Sequence, residues 1–163
     1  MFAGILFKGA LIFISRDFLH QEGKYVAASG VDALEYAAAY NSVLPTPELV
    51  DAVYAQATCK IKTPPLNPTL SNAAEIHNSV VTQQKRLCRN LLILDGHKKT
   101  IVQSHRPSRT AIYGWFGVDG KAVQPYSTIH SKDYRDYSQG IRLVYRWAIK
   151  EGRIVSVEDI LNN

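Results

Sequence analysis

The sequence predicts an α+β fold in one domain, with N-terminal helices packed on one face of a mostly antiparallel β-sheet. Three observations predict it. Helical signals gather in about residues 30–90, apart from one short helix after residue 155. From Leu91 to about residue 155 the chain is β-like, with short apolar runs punctuated by Gly, Pro and Asp. Ile141 to Lys150 alternates at period two. Helices followed by runs of strands give an α+β order, and 163 residues suffice for one core.

Each element follows from local chemistry. Leu11–Ser15 is β-branched and aromatic, so Ala10–Ser15 reads as a buried strand. The apolar run before it is interrupted by Lys8 and is too short for a membrane span. A signal peptide would carry its positive charge ahead of that run. Gln21 to Lys24 is a turn, returning through Tyr25–Ala28. Asp32 starts an Ala-rich helix ending near Asn41 or Ser42, with Glu35 completing a capping box. Thr46 caps a second helix, with Pro47 at its first position and Glu48 at the positive end of its dipole. Leu49, Val50, Val53, Tyr54 and Ala57 share one face of it. Thr58–Lys62 is extended, and Thr63–Thr69, with three prolines, is a surface loop. Asn72 and Glu75 form another capping box for a helix to about Arg89. Its inner face carries Ile76, Val80, Leu87 and Leu91, with His77 at the edge as a structural histidine.

The β-rich part runs through Leu91–Leu94, a turn at Asp95-Gly96, and strands at Thr100–Ser104 and Thr110–Phe116. Val118 to Lys121 is a hairpin turn into Ala122–Gln124. In the long strand, Ile141, Leu143, Tyr145, Trp147 and Ile149 face one way, and Arg142, Arg146 and Lys150 face the other. Glu151-Gly152-Arg153 turns into Ile154-Val155, and Ser156 caps a last helix, Val157–Leu161.

Net charge is +5, but residues 85–153 carry fourteen Lys/Arg against five Asp/Glu, while residues 1–84 are net acidic. Such a basic segment favours phosphates, nucleic acid or an acidic polymer as partner, unless it is a solvated face that keeps the chain soluble. Cys59 and Cys88 form no CxxC and no Cys/His cluster. A reducing, cytoplasmic setting is the simpler reading, and two cysteines leave one disulfide open. The absence of HExxH, HxH, P-loop, GxGxxG and GxSxG patterns leaves no metal, no cofactor and no familiar nucleotide-dependent reaction to expect.

The chemistry concentrates in Asp95–Arg146, which holds His97, His105 and His130. Within it, Tyr126–Gly140 has no periodic apolar pattern yet is rich in Tyr, which reads as an ordered functional loop. It offers candidate catalytic residues: His130 as proton carrier, Asp136 to orient it, Tyr137 as oxyanion donor and Ser138 as nucleophile. Around it stand candidate ligand-binding residues. The Gly96 turn brings His97, Lys98 and Lys99, and the next connection brings His105 and Arg109. Tyr113, Trp115 and Tyr134 offer aromatic faces, and Arg142 is a cation held on a strand beside the loop.

Ile112-Tyr113-Gly114-Trp115, Gln124-Pro125, Asp136-Tyr137-Ser138 and Gly140-Ile141-Arg142 resemble a group of uncharacterised bacterial and phage proteins, as do the Leu44-Pro45-Thr46 and Gly96-His97-Lys98-Lys99 pieces. In that group's pattern a His often follows the Trp and another often follows the Ser. Here those positions are Phe116 and Gln139, so the resemblance implies an inactive chain or one that relies on His130.

The resulting expectation is a small hydrolase-like protein acting on a polar or anionic polymer, with peptidoglycan as leading substrate. The alternative is a non-enzymatic phage accessory protein that binds an anionic ligand such as a nucleotide, or a virion or structural component.

Overall fold

The computed structural model describes residues 1–163. It contains four helices and fourteen short strands, an α+β arrangement whose strand pairs are mostly antiparallel. The chain opens on a hairpin: β1 (Phe2–Phe7) pairs with β2 (Ala10–Ser15) along its whole length. Lys8 and Gly9 form its turn at φ 47° and 74°, the geometry of a primed two-residue loop. The lysine that interrupts the apolar run is thus the hairpin tip. β3 (His20–Gln21) and β4 (Lys24–Tyr25) flank the next turn.

Helix α1 (Gly30–Ala39) is capped one turn earlier than the sequence suggested. Ser29 is the N-cap and Asp32 its reciprocal partner, each side chain accepting from the other's backbone N–H. The Asp32 carboxylate is also gripped by Arg135 at 2.7 Å, which favours this frame over one with Asp32 as cap. After β5 (Ser42–Val43), α2 (Pro47–Gln56) starts as expected, with the Thr46 hydroxyl accepting from the Leu49 amide. Leu49, Val50, Val53 and Tyr54 are its buried face.

After β6 (Cys59–Lys60) comes α3 (Ala73–Leu87), which presents a different face from the expected one. Its buried residues are Ala73, His77 and Val81, whereas Leu87 is 82% exposed. Two constraints fix that rotation. Cys88, just past the helix, is bonded to Cys59, and the His77 ring donates to the His97 carbonyl. Asn72 occupies the N-cap position but makes no side-chain cap bond, so the expected second capping box is not formed.

β7 (Leu94–Asp95) runs parallel to β6. A four-stranded sheet then follows, in the order β10 (Ala122–Ser127), β9 (Ala111–Phe116), β8 (Lys99–Val102) and β11 (Gln139–Gly140). The expected single strand at Ile141–Lys150 is two strands, β12 (Val144–Tyr145) and β13 (Trp147–Lys150). The break is at Arg146, where the chain leaves its place between β2 and β5 and continues between β2 and β14 (Arg153–Ser156). The change of partners resets the faces. Ile141 to Val144 are all buried, and beyond the break Ala148 is buried while Trp147 and Ile149 are partly exposed. Ser156 caps α4 (Val157–Leu161) as expected.

The larger sheet is centred on β2, with β1 along one edge and β12 and β13 sharing the other. Helix α2 touches β1 of this sheet and β9 of the smaller one. One apolar cluster gathers Ile12, Ile14, Leu49, Val144 and Ile160; another, under α1, gathers Ala33, Ala37, Ile101, Ile112 and Leu143. No helix is long and apolar enough to cross a membrane.

Candidate functional site

The Gly96–Lys99 turn, expected to offer His97, Lys98 and Lys99 to a ligand, is mostly inside the protein. Gly96 stands at φ 103°, and a Cβ there would lie 2.5 Å from the Ile61 carbonyl oxygen, so only glycine fits. His97 is fully buried. Its Nε2 lies 3.1 Å from Tyr25 Oη and 3.3 Å from Asp17 Oδ1. Tyr25 donates to Asp17 Oδ2 at 2.9 Å, and the Lys85 ammonium reaches the same oxygen at 2.7 Å. Burial opposes the Asp17 charge, but the His97 hydrogen bond and charge, together with Lys85, outweigh it and hold the carboxyl well below its usual range. Burial pushes His97 down, and pushes His77 down to about 4, where Lys98 adds to the effect. The Asp17 and Asp95 charges oppose that push on His97, whose Nε2 faces the Asp17–Tyr25 pair while its Nδ1 has no partner.

Lys98 and Arg142 belong to the same interior. The Lys98 ammonium donates to the Tyr137 carbonyl and sits 5.2 Å from the centre of the Tyr25 ring. Burial lowers its pKa to about 8. Arg142 donates to the carbonyls of Ser15 at 2.7 Å and Leu94 at 2.6 Å, and lies over the Phe18 ring with Asp95 alongside. His97, Lys98 and Arg142 therefore hold chain segments to one another and present no face to a ligand. Lys85 and His20, on the rim, reach solvent.

The loop between β10 and β11 produces an open site. A cleft of about 110 Å³ is lined by Lys99, Gln124, Asp136 and Ser138, with Trp115, Tyr137 and the Pro65–Pro68 turn as walls. The smaller sheet builds it. Lys99 and Gln124 both pair with Gly114 on β9, so a residue without a side chain stands between them. The parallel step from β8 to β11 sets Lys99 beside Ser138, with the Lys99 amide donating to the Ser138 carbonyl at 2.8 Å. Gly114 and Trp115 stand at φ 111° and 54°, so the strand does not keep its period-two alternation there and Tyr113 and Trp115 make separate contacts. Trp115 turns inward, its Nε1 donating to the Thr63 carbonyl, while Tyr113 donates to Asp51 at 2.9 Å.

The candidate catalytic groups are near one another but are engaged locally. The Ser138 hydroxyl and amide both donate to Asp136 Oδ1, closing a tight turn. Tyr137 Oη accepts from the Leu66 amide at 2.6 Å and donates to the Leu66 carbonyl at 3.0 Å. It anchors the proline turn that walls the cleft and is not free as an oxyanion donor. His130 stacks flat on Tyr134, their centroids 4.1 Å apart. Burial lowers its pKa against the opposing charge of Asp136, and Lys99 lowers it further. No hydrogen bond joins His130 to Ser138 or Asp136. The remaining pieces lie elsewhere: His105 stacks on Tyr126 and bonds its hydroxyl at 2.7 Å, and Arg109 donates to the Ile129 carbonyl. The three histidines do not converge.

Of the residues singled out from the sequence, Lys99, Trp115, Asp136, Tyr137 and Ser138 share this cleft, whereas Gln124 was missed as a lining group. His77, read as a structural histidine, is one, but Asp17 and Tyr25, the partners of the His97 ring, and Lys85, which pairs with Asp17, were missed. One signal was available: Asp17 is a lone acid between Ile12–Ser15 and Phe18-Leu19, where an unpaired carboxylate would be costly to bury. Compared with protein-family profiles, curated proteins and solved structures, the chain has no significant match.

Proposed function

We propose that this chain is a binding protein for a small polar ligand with an anionic group, held in the Lys99–Gln124–Asp136–Ser138 cleft. The observation that carries this reading is the convergence of four polar side chains from β8, β10 and the loop on one concave surface, with Lys99 as its cation. A carboxylate or phosphate would meet the Lys99 ammonium and the Gln124 amide. Asp136 would take an amino or hydroxyl group on the same molecule. Binding is favoured over hydrolysis because Ser138 has no imidazole within hydrogen-bond reach, and the Tyr137 hydroxyl is committed at both lone pair and proton.

Peptide-bearing peptidoglycan fragments, which carry both charges, are the first ligands to test, with nucleotides second. The Cys59–Cys88 disulfide supports action in an oxidising compartment, in place of the cytoplasmic setting the cysteine count suggested. Thermal-shift and calorimetric titration with cell-wall fragments and nucleotides should raise the unfolding temperature for one class. Lys99→Ala should weaken that binding about tenfold or more. Binding that is indifferent to Lys99→Ala, or no binding by either class, overturns the assignment. The hydrolytic reading rests on His130, an imidazole beside the Asp136 charge. It predicts turnover of the fragments that His130→Ala abolishes.

A further inference from the structure

A second concavity is bordered by the same loop at Lys132. A groove of about 500 Å³ follows α1 and is floored by β5 and β8, a size within the range of ligand pockets. Along α1 its wall is Gly30, Val31, Leu34, Ala37 and Ala38, the spacing of one helical face. All nine hydrophobic lining residues are aliphatic or alanine; no aromatic ring faces the groove. A planar base would find no aromatic ring to stack on, whereas an alkyl chain would find the aliphatic face of α1 along one wall. Leu34, 62% exposed at the rim, is the kind of large apolar side chain that a bound chain would cover.

The charged groups sit at the two ends, and uncharged polar residues, Gln103 and Ser104 among them, complete the lining. The first turn of α1 is tied to the loop by the Val31 amide donating to the Lys132 carbonyl. At that end Lys132 and Arg109 line the groove, and the one acidic residue of the lining, Glu158, is paired with Arg146. Arg109 uses one guanidinium nitrogen on the Ile129 carbonyl, which leaves its other donors for a ligand. At the opposite end Arg146 is already paired with Glu158 at 3.3 Å. The groove therefore has one cationic end, an aliphatic length and one neutralised end.

We infer that this groove binds a single-chain amphiphile: an aliphatic body of roughly the length of α1, about 15 Å, with a carboxylate or phosphate head at Arg109 and Lys132. The volume suits one chain, so a monomeric ligand is the occupant rather than a membrane surface.

The test is calorimetric titration with decanoate, decyl phosphate and decanol below their aggregation concentrations, with anionic vesicles as a separate arm. Saturable one-to-one binding of at least one anionic probe, about tenfold tighter than decanol, is the expected result. The head group preferred identifies the source chemistry. Arg109→Gln with Lys132→Gln should erase the preference over decanol. Ala38→Phe, at an exposed helix position, should fill the groove and remove binding of all three while the unfolding temperature holds. Lys99→Ala should leave amphiphile binding unchanged, which separates this site from the polar cleft. No saturable binding, binding that survives Ala38→Phe, binding lost with Lys99→Ala, or attachment to vesicles without monomer binding each overturns the inference.

Discussion

His77 shows how burial turns an ordinary residue into a stability determinant. Its ring donates to the His97 carbonyl at 2.7 Å, and burial lowers its pKa from 6.5 to about 4. The unfolded chain therefore takes up a proton in that interval that the folded chain refuses. The associated stability is complete above pH 6.5 and is lost as pH falls toward 4. Its ceiling is of order 3 kcal/mol. Asp17, held below its ordinary 3.8, continues the loss in the same direction at still lower pH. The unfolding temperature should thus fall between pH 7 and 4, and His77→Gln, which keeps a donor but cannot titrate, should flatten that slope. An unchanged slope would remove His77 as its source. Arg142 carries a different lesson at this scale: a cation enclosed by two carbonyls, an aromatic face and Asp95 is costly to leave unpaired, so it belongs to the fold.

Among the elements, α3 depends most on distant chain. Its face is only partly apolar, and its N-cap side chain makes no capping bond. It is held by the Cys59–Cys88 disulfide at its C-terminal end and by His77 and Lys85 along its length. The cysteines are 29 residues apart in sequence. Cross-linking a loop of that size restricts the unfolded chain by about 3–4 kcal/mol. Replacing both cysteines with Ala should lower stability by roughly that amount in urea denaturation, and added reductant should reproduce the loss in the wild type while leaving the variant unchanged. The expected and observed faces of α3 differ because its periodicity admits two ridges. Ile76 and Leu87 are the more hydrophobic choice, but covalent and polar anchors select Ala73, His77 and Val81.

For the molecule as a whole, the charge asymmetry has an internal use. Lys85 and Arg135, from the basic half, pair with Asp17 and Asp32 in the acidic half, and Lys98 and Arg142 are buried. Part of what pointed outward to an anionic partner therefore joins the two halves. The buried Asp17–Tyr25–His97 group and helix α2 both touch structures from each half, so neither half holds a separate core. Equilibrium unfolding should be one cooperative transition, with near- and far-ultraviolet circular dichroism superimposing. Separate transitions for the helical and β-rich parts would contradict that coupling.

The sequence by itself determined what is local. The α+β class, the Thr46-Pro47 start of α2, the hairpin turns, the Ser156 cap and the ordered loop after β10 all follow from residues within a few positions of one another. The loop's role as the wall of a cleft containing Lys99, Asp136 and Ser138 was partly legible, because composition marked it. Only the tertiary structure decided which face of α3 turns inward, where the strand after Gly140 breaks, and that His97, Lys98 and Arg142 are interior. The physical reason is the same in each case. A charged or ambivalent side chain is placed by its partner, and Asp17, Tyr25, Ser15 and Leu94 lie dozens of residues away from the groups they receive.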